Sequence, residues 1–287
     1  MFYLNLAING IVEGLLIGLA AMALNLVFAV GRFPNAATGD FLTVGAYAGF
    51  GAQQAGAPIW LQGVAAIGAC MTVSVLCYLA VFRRLLGGAM VAALLASIGV
   101  GFFLRSVLSL GFGHDPQIFP MQAMTAVTVF GLRLRTSDLW LAGIALSCAV
   151  LVLAVLHLTP IGRQMRAIAD NAVLAQASGI RSRRVMLSLW AIVGAVSGLA
   201  GLVLGMRTTV SPEMGWALLL PAFAAAVLGG VGSPTGAVLA GVLIGVLQEL
   251  STPWLGFSYK IALSFVALAL VLLLRPQGLF GRAETVR

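Results

Sequence analysis

Two acidic residues, Glu13 and Asp40, lie inside apolar stretches, where a charge is costly and therefore indicates a function. Glu13 has no basic residue at helical spacing, so we expect a helix-packing or pore-wall position rather than a proton relay. Asp40 follows a glycine, as in intramembrane aspartyl proteases. Those enzymes need two aspartates within the membrane, and the other aspartates of this chain fall between the apolar stretches. Proteolysis is therefore not expected.

The residues that usually bind metals or nucleotides are sparse. Cys70, Cys77 and Cys148 lie singly inside apolar stretches without CxxC spacing, and the two histidines stand alone. Lys260 is the only lysine, so the chain lacks the GxxxxGK[ST] loop that cradles nucleotide phosphates. We expect no metal site and no bound cofactor. If ATP drives this protein, another polypeptide must hydrolyse it.

The composition indicates that lipid, rather than water, surrounds most of the chain. Of its 287 residues, 61% are hydrophobic and 8% are charged, whereas a soluble domain is about 25% charged. In water so much apolar surface would form patches larger than a monomer tolerates, whereas in lipid it forms the outer wall. The net charge of +8 comes from short basic clusters rather than one continuous stripe, so nucleic-acid binding is not expected.

A helix needs about 20 apolar residues to cross a bilayer. Division at charges and Gly/Pro clusters gives nine apolar segments: 5–30, 36–54, 59–82, 89–111, 139–158, 185–206, 216–232, 234–250 and 258–274. We predict an all-α polytopic bundle of about eight or nine transmembrane or half-membrane helices. Residues 1–287 would form one transmembrane domain.

The segments 216–232 and 234–250 meet at a glycine-rich run that cannot continue a helix smoothly. We predict two half-helices that meet inside the membrane, as in many transporters. The residues of this junction are Gly229, Gly230, Gly232, Pro234 and Gly236.

Small residues recur four apart in three of the segments, which lets membrane helices pack closely. These sets are Gly10, Gly14 and Gly18; Gly194 and Gly198; and Ala237, Gly241 and Gly245. Packing within the chain is the preferred explanation, and contact with another subunit is the alternative.

The basic residues predict the orientation, because Lys and Arg concentrate in short cytoplasmic loops. If all nine segments cross and the C-terminus is cytoplasmic, eleven of the 16 basic residues lie on the cytoplasmic side. We therefore predict an N-terminus outside and a C-terminus inside. The loop 112–138 then faces outward, and the loop 159–184 faces the cytoplasm.

The loop 159–184 is predicted to contain one helix between Pro160 and Gly179. Small side chains would line one face of it, with Arg163 and Arg166 at the rim. The stripe consists of Ala167, Asn171, Ala175 and Gly179. A helix lying on anionic lipid is the alternative, but it would need large apolar anchors at these positions. We expect this face to dock on a cytoplasmic partner.

Several ordered motifs resemble, over nearly the whole chain, the branched-chain amino acid ABC permease family, and specifically its LivH-type subunit. They lie at 24–28, 35–41, 45–47, 163–180, 227–237 and 275–281. From the first three we select polar candidates for the translocation path: Asn25, Asn35, Thr38, Asp40 and Tyr47.

The resemblance implies an importer in the bacterial inner membrane that carries branched-chain amino acids or related small polar substrates. It implies a second, LivM-like permease subunit, a periplasmic substrate-binding protein and two cytoplasmic ATPases that use ATP and Mg²⁺. It also implies that residues 163–179 are the ATPase-coupling element, similar in role to the EAA loop of other ABC importers.

Two other classes of protein compete with this interpretation. A secondary transporter or channel without ATPase partners is the main alternative, but it should show intramembrane ion or proton ligands, and few are present. A membrane enzyme would need a nucleophile with a base, or paired carboxylates, within the bilayer. No such set stands out in the sequence.

Overall fold

The computed structural model describes residues 2–85, 87–119, 126–129, 132–275 and 277–281. Almost all of the regular structure is helical, and a short antiparallel hairpin joins two of the helices. The elements are α1 (Phe2–Gly31), α2 (Thr38–Gln54), α3 (Ile59–Cys77), α4 (Arg83–Leu85), α5 (Met90–Phe112), β1 (Ala126–Val129), β2 (Leu132–Arg135), α6 (Thr136–Leu158), α7 (Pro160–Asp170), α8 (Ala172–Ala177), α9 (Ser182–Arg207), α10 (Met214–Leu228), α11 (Pro234–Leu255) and α12 (Lys260–Leu274).

Within the described ranges, six helices are long and apolar enough to cross a membrane: α1, α3 with its extension to Leu85, α5, α6, α9 and α11. The other apolar helices are shorter, with 17 residues in α2 and 15 in each of α10 and α12. At about 1.5 Å per residue, α10 is only about 22 Å long, against about 30 Å for the hydrocarbon core. The prediction of an all-α bundle with full-length and shorter helices is confirmed.

The two ends of the bundle differ in charge. At one end, named here the basic end, α1 and α3 finish, α5 and α9 begin, and the arginine clusters are found. The C-terminal segment 277–281 lies there too, because Leu279 N donates to Leu228 O at 2.8 Å. At the opposite end, the Tyr3 and Trp254 rings lie 5.9 Å apart. The first helix therefore begins at the end of the bundle opposite to the segment 277–281.

The centre of the bundle is α1, which packs antiparallel along α11. A Cβ atom placed on Gly14 would lie 2.5 Å from Val242 Cα, and one on Gly10 would lie 2.6 Å from Val246 Cα. A Cβ on Gly194 of α9 would likewise lie 2.7 Å from Met71 Cα of α3. The small-residue sets therefore bring helices of this chain into backbone contact, which confirms the preferred explanation.

An aromatic cluster fixes α3 against α9 at the basic end. The last turn of α3 continues as a π-helical segment (Tyr78–Phe82), which changes the direction of its side chains. The Trp190 ring of α9 stacks on Tyr78 at 5.7 Å and on Phe82 at 4.7 Å. The ring of Phe33, from the segment between α1 and α2, stacks on Phe82 at 5.5 Å.

Acidic residues within the helices pair with basic residues of other helices. Glu13 of α1 pairs with Arg207 at the end of α9, with 2.8 Å between Oε2 and Nη1. Glu13 has no basic residue at helical spacing, as the sequence showed, and its partner comes from another helix, which spacing along one helix cannot reveal. Glu249 and Lys260 form a second pair at 2.5 Å.

Candidate functional site

The turn 229–233 joins α10 to α11 at the basic end, and Asn25 of α1 holds it. Asn25 Nδ2 donates to Gly230 O at 3.0 Å and to Ser233 O at 3.2 Å. Asn25 Oδ1 accepts from Gly232 N at 2.6 Å. Gly230 has a φ of +98°, which favours glycine. Asn25 thus holds a tight turn in place, and both the nitrogen and the oxygen of its side-chain amide bond to backbone atoms.

The prediction of two half-helices at this turn needs correction. The helix α11 begins at Pro234, which Ser233 caps by accepting from Gly236 N at 3.1 Å, and with 22 residues it is long enough to span a membrane. Asn25 lies six residues before the end of α1, or about 9 Å along its axis, so the turn lies near one end of the bundle. A Cβ on Gly229 would contact Gly236, which shows how tightly the turn closes.

The helix ends that meet inside the bundle are the starts of α2 and α10. A Cβ on Gly39 would lie 2.7 Å from Gly215 O, so the two backbones touch. Thr43 Oγ1 accepts from Gly215 N at 3.2 Å and donates to Gly39 O at 3.4 Å. One hydroxyl therefore links the two starts, and it satisfies one of the amide groups that a helix start leaves without an internal partner.

The depth of this meeting point follows from its contacts with α5. Ala36 N donates to Ser97 Oγ at 3.0 Å, and Asp40 Oδ1 accepts from Arg105 Nη2 at 3.0 Å. Ser97 lies seven residues after Met90, and Arg105 lies seven residues before Phe112, the two ends of α5. The starts of α2 and α10 are therefore level with the middle of a helix long enough to span a membrane.

The ion pair of Asp40 and Arg105 is the charged centre of the site. Arg105 Nε also donates to Asp40 Oδ1, at 3.2 Å. The guanidinium lies 5.3 Å from the centroid of the Phe102 ring and 5.3 Å from that of Trp216, close enough for cation–π attraction. Asp40 is buried, whereas the Arg105 side chain is 16% exposed. Arg105 and the two aromatic rings thus form the side of the site that reaches the surface.

Three polar atoms beside this pair are buried without a hydrogen-bond partner in the described part of the chain: Asn35 Nδ2, Thr38 Oγ1 and Asp40 Oδ2. Buried polar groups are nearly always paired, so such a cluster indicates a place for water or for a polar ligand. Both helix starts also direct the positive ends of their dipoles here. The site therefore concentrates polar atoms and the positive ends of two helix dipoles in the middle of the bundle.

Tyr47 lies two turns of α2 beyond Asp40, on the same face of the helix. Its ring is 4.8 Å from that of Phe112, and its hydroxyl has no hydrogen-bond partner within the described residues. Asp40 and Tyr47 thus face Arg105 and Phe112, which are also seven residues apart. Of the five predicted path residues, Asp40 and Tyr47 lie on this line. Thr38 is the first residue of α2, Asn35 precedes that helix, and Asn25 lies apart on α1.

The segment 159–184 differs from the single helix that we expected. Asn171 has an extended backbone and ends α7, and its Oδ1 caps α8 by accepting from Val173 N at 3.1 Å and Leu174 N at 3.0 Å. Ala175 is buried in the chain, and Gly179 has a φ of +83° beyond the end of α8. The four small residues therefore do not form one exposed stripe, because an asparagine cap interrupts the helix.

Other residues of this segment form its surface. Val173 is 79% exposed and Leu174 is 65% exposed, directly after the asparagine cap. Arg163 is exposed, Ala167 is half-buried, and Arg166 Nη1 donates to Leu156 O at the end of α6. An exposed apolar pair, rather than a stripe of small residues, is what this segment presents to its surroundings.

Sequence reasoning missed Arg105, Trp216 and Thr43 of the central site. Arg105 is a charge within an apolar segment, and the criterion that selected Asp40 would have found it. Thr43 and Gly215 had no such signal, because a hydroxyl and a glycine are common in apolar helices.

Comparisons with known proteins agree with this architecture. A family model described as the permease component of a branched-chain amino acid transport system matches residues 6–274. The chain is 29% identical to the high-affinity branched-chain amino acid transport system permease protein LivH of Escherichia coli, over 99% of this chain and 97% of that protein. It is also 33% identical to LivM of the same organism, over 52% of this chain and 36% of LivM.

Among solved structures, PsaBC from Streptococcus pneumoniae in complex with Fab is similar with a TM-score of 0.49 and 13% identity, covering 94% of this chain and 91% of that one. The family model itself extends from α1 to the end of α12 and contains every element that builds the central site. The chain belongs to the family of branched-chain amino acid transport permease components.

Proposed function

We propose that this chain forms one half of the translocation path of a binding-protein-dependent ABC importer for branched-chain amino acids. A LivM-like permease subunit would form the other half, and a periplasmic substrate-binding protein would deliver the amino acid. Two cytoplasmic ATPases would supply the energy from ATP and Mg²⁺. The family and the names of the relatives support this assignment.

One observation carries the proposal: α2 and α10 both start in the middle of the bundle, among buried polar atoms without partners. Interrupted helices with their starts near the membrane midplane are a common way to bind solutes in transporters. An amino acid carries a carboxylate, which helix starts and Arg105 attract, and an ammonium, which Asp40 attracts. The polar cluster thus matches the charged end of that substrate.

The path would run along the face of α5 and α10 where Arg105 reaches the surface. Large apolar residues are exposed on this face, among them Phe102 at 56% and Phe223 at 39%. A second permease subunit would cover them. The substrate would then pass between two protein walls, with its apolar side chain against aromatic residues and its charged end against the Asp40 and Arg105 pair.

The coupling element would be the pair of helices α7 and α8, with the basic end in the cytoplasm. Arg166 fastens α7 to α6, and the cap on α8 holds Val173 and Leu174 outward. An apolar pair so exposed, on a segment bonded to a spanning helix, suits insertion into a groove of an ATPase. Motion of the ATPase would then be transmitted to α6.

Replacement of Leu174 by Asp tests the coupling surface, because a charge there opposes docking in an apolar groove. We expect leucine uptake by cells that carry all subunits to fall at least tenfold, and less ATPase to co-purify. A loss of about 1.4 kcal/mol in the free energy of ATPase binding is enough for a tenfold decrease. Ile118→Asp is the matched control for co-purification of the ATPase, since Ile118 is an apolar residue 71% exposed at the opposite end. Normal uptake and co-purification with Leu174→Asp would contradict the proposal.

A further inference from the structure

A cavity of about 460 Å³ lies at the basic end, apart from the central site. It is enclosed by the end of α1, the segment between α3 and α5, and the starts of α5, α8 and α9. The function proposed above assigns no role to this cavity.

The charged groups of the cavity are all positive. Arg32, Arg83 and Arg183 line it, and no Asp or Glu is among its lining residues. Within the described ranges, none of the three arginines takes part in an ion pair. Arg32 Nη2 donates to Ala169 O at 3.1 Å, which leaves its other donors available. Three unneutralised guanidinium groups around one cavity attract an anion, and arginine is well shaped for phosphate.

Arg32 occupies a backbone position that favours glycine. Its φ is +58°, and no other non-glycine residue in the described part of the chain has a positive φ. Arg32 follows the last residue of α1 and its N donates to Phe28 O at 3.0 Å, an arrangement in which helices usually end with glycine. Arg32 adopts this unfavourable backbone conformation, and its side chain lines the cavity. The combination indicates that the positive charge of Arg32 has a function there.

Apart from Gln176 and Ser182, most of the rest of the wall is apolar, and it lies at the level of the helix ends. Phe33, Met90, Ala93 and Met186 contribute to it, together with the ring of Tyr78 from the π-helical turn. Inorganic phosphate alone would use the arginines and leave this wall without a partner. A phospholipid has a phosphate at the bilayer boundary and an apolar body directly beside it. Basic pockets between membrane helices on the cytoplasmic side are known to bind such headgroups.

We propose that this cavity binds the phosphate headgroup of an anionic phospholipid, held by Arg32, Arg83 and Arg183. The lipid then also contacts Ala172 and Gln176, which place α8 on the wall of the cavity. Bound lipid therefore supports the segment that carries Val173 and Leu174. The binding itself does not depend on what the protein transports.

The test uses the full chain with its co-purifying subunits in nanodiscs of phosphatidylcholine, with and without a minor fraction of phosphatidylglycerol. Native mass spectrometry measures the retained phosphatidylglycerol, and a thermal melt measures the stabilisation that it gives. Arg83→Gln is compared with Arg84→Gln, since both arginines lie exposed in the same short helix and only Arg83 lines the cavity. We expect retention to fall about fivefold with Arg83→Gln and to change little with Arg84→Gln.

Arg32→Gly serves as the second variant, because it removes a charge and suits the positive φ. It should lower phosphatidylglycerol retention about fivefold while the melting temperature in pure phosphatidylcholine is unchanged or higher. Equal losses with Arg83→Gln and Arg84→Gln would overturn the proposal, because they would indicate diffuse attraction. In a final measurement, millimolar inorganic phosphate is added to the protein in nanodiscs of pure phosphatidylcholine, and the thermal melt is repeated. The same thermal shift from phosphate alone would overturn the assignment to a lipid.

Discussion

The polar residues of the central site, and Asn25 near one end of the bundle, differ in whether the fold itself uses them. Thr43 bonds to both helix starts, and Asn25 spends its amide on the turn between α10 and α11. Thr38 and Asn35 are as deeply buried, yet each keeps an atom without a partner within the described residues. Stability therefore accounts for Thr43 and Asn25, whereas Thr38 Oγ1 and Asn35 Nδ2, which lack a partner within the described residues, are available to the path proposed above.

This difference predicts opposite behaviour for two substitutions of the same chemistry. Thr38→Val removes a hydroxyl that bonds to nothing in the described structure, so stability should be unchanged or rise by up to about 1 kcal/mol. Thr43→Val should cost about 1–3 kcal/mol, because Gly215 N loses its partner. If Thr38 lies on the path, leucine uptake per folded transporter should nevertheless fall with Thr38→Val. Thermal melts of the purified proteins and uptake at matched expression measure the two effects.

Full uptake by Thr38→Val at normal expression would remove Thr38 from the path. A melting temperature of Thr43→Val equal to that of the wild type would show that the hydroxyl does not hold the two helix starts together.

Close contact between helices holds the elements in place. The α1–α11 and α3–α9 pairs approach at glycine, because lipid-facing surfaces supply no hydrophobic drive between helices and close van der Waals packing must replace it. The same device brings Gly39 to Gly215, where it joins two helix starts instead of two helix sides. Glycine thus permits close backbone contact both between the long helices and between the two helix starts of the central site.

The expected cost of filling such a contact is large. Gly14→Ala would place a methyl group 2.5 Å from Val242 Cα, so α1 and α11 must separate. We expect a loss of about 1–3 kcal/mol, which thermal melting in detergent measures. Gly68→Ala in α3 is the control, because nothing lies within 4 Å of its Cβ position. It should be neutral or stabilising by about 0.5–1 kcal/mol, as for glycine in a helix interior. Equal melting temperatures for the two variants would refute close packing of α1 on α11.

For the whole molecule, the proposed direction of transport depends on which end faces the cytoplasm. The basic end carries the arginine clusters, the segment of α7 and α8 and the lipid cavity, and all three features agree with a cytoplasmic location. The opposite end carries the loop after α5 and the hairpin, where a periplasmic binding protein would dock. The polar site lies between the two ends, as alternating access requires.

Labelling of intact cells tests this orientation. Asp115→Cys and Ala177→Cys place a thiol at exposed positions of opposite ends. A membrane-impermeant maleimide should label Asp115→Cys in intact cells and Ala177→Cys only after permeabilisation. The wild-type chain gives the background, because Cys70 is buried and Cys77 and Cys148 lie half-buried within spanning helices. Labelling of Ala177→Cys in intact cells would reverse the assignment.

The sequence by itself determined the solvent, the helical class, the number of apolar segments and the family. These properties depend on local quantities: the length of an apolar stretch, the place of a charge, or an ordered motif such as the one at 35–41. The position of the exposed segment after α6 was also predictable from Pro160 and Gly179. Its division at Asn171 was not, since a capping asparagine and a helical one differ only in backbone conformation.

Only the tertiary structure decided which helix ends meet and which charges pair. Asp40 and Arg105 are 65 residues apart, and Asn25 lies more than 200 residues from the turn that it holds. The membrane-spanning helices are apolar on nearly all sides, so no amphipathic stripe marks the face that each presents to its neighbours. In lipid, glycine contacts and a few polar atoms select the arrangement instead. Their partners are close only after the chain has folded.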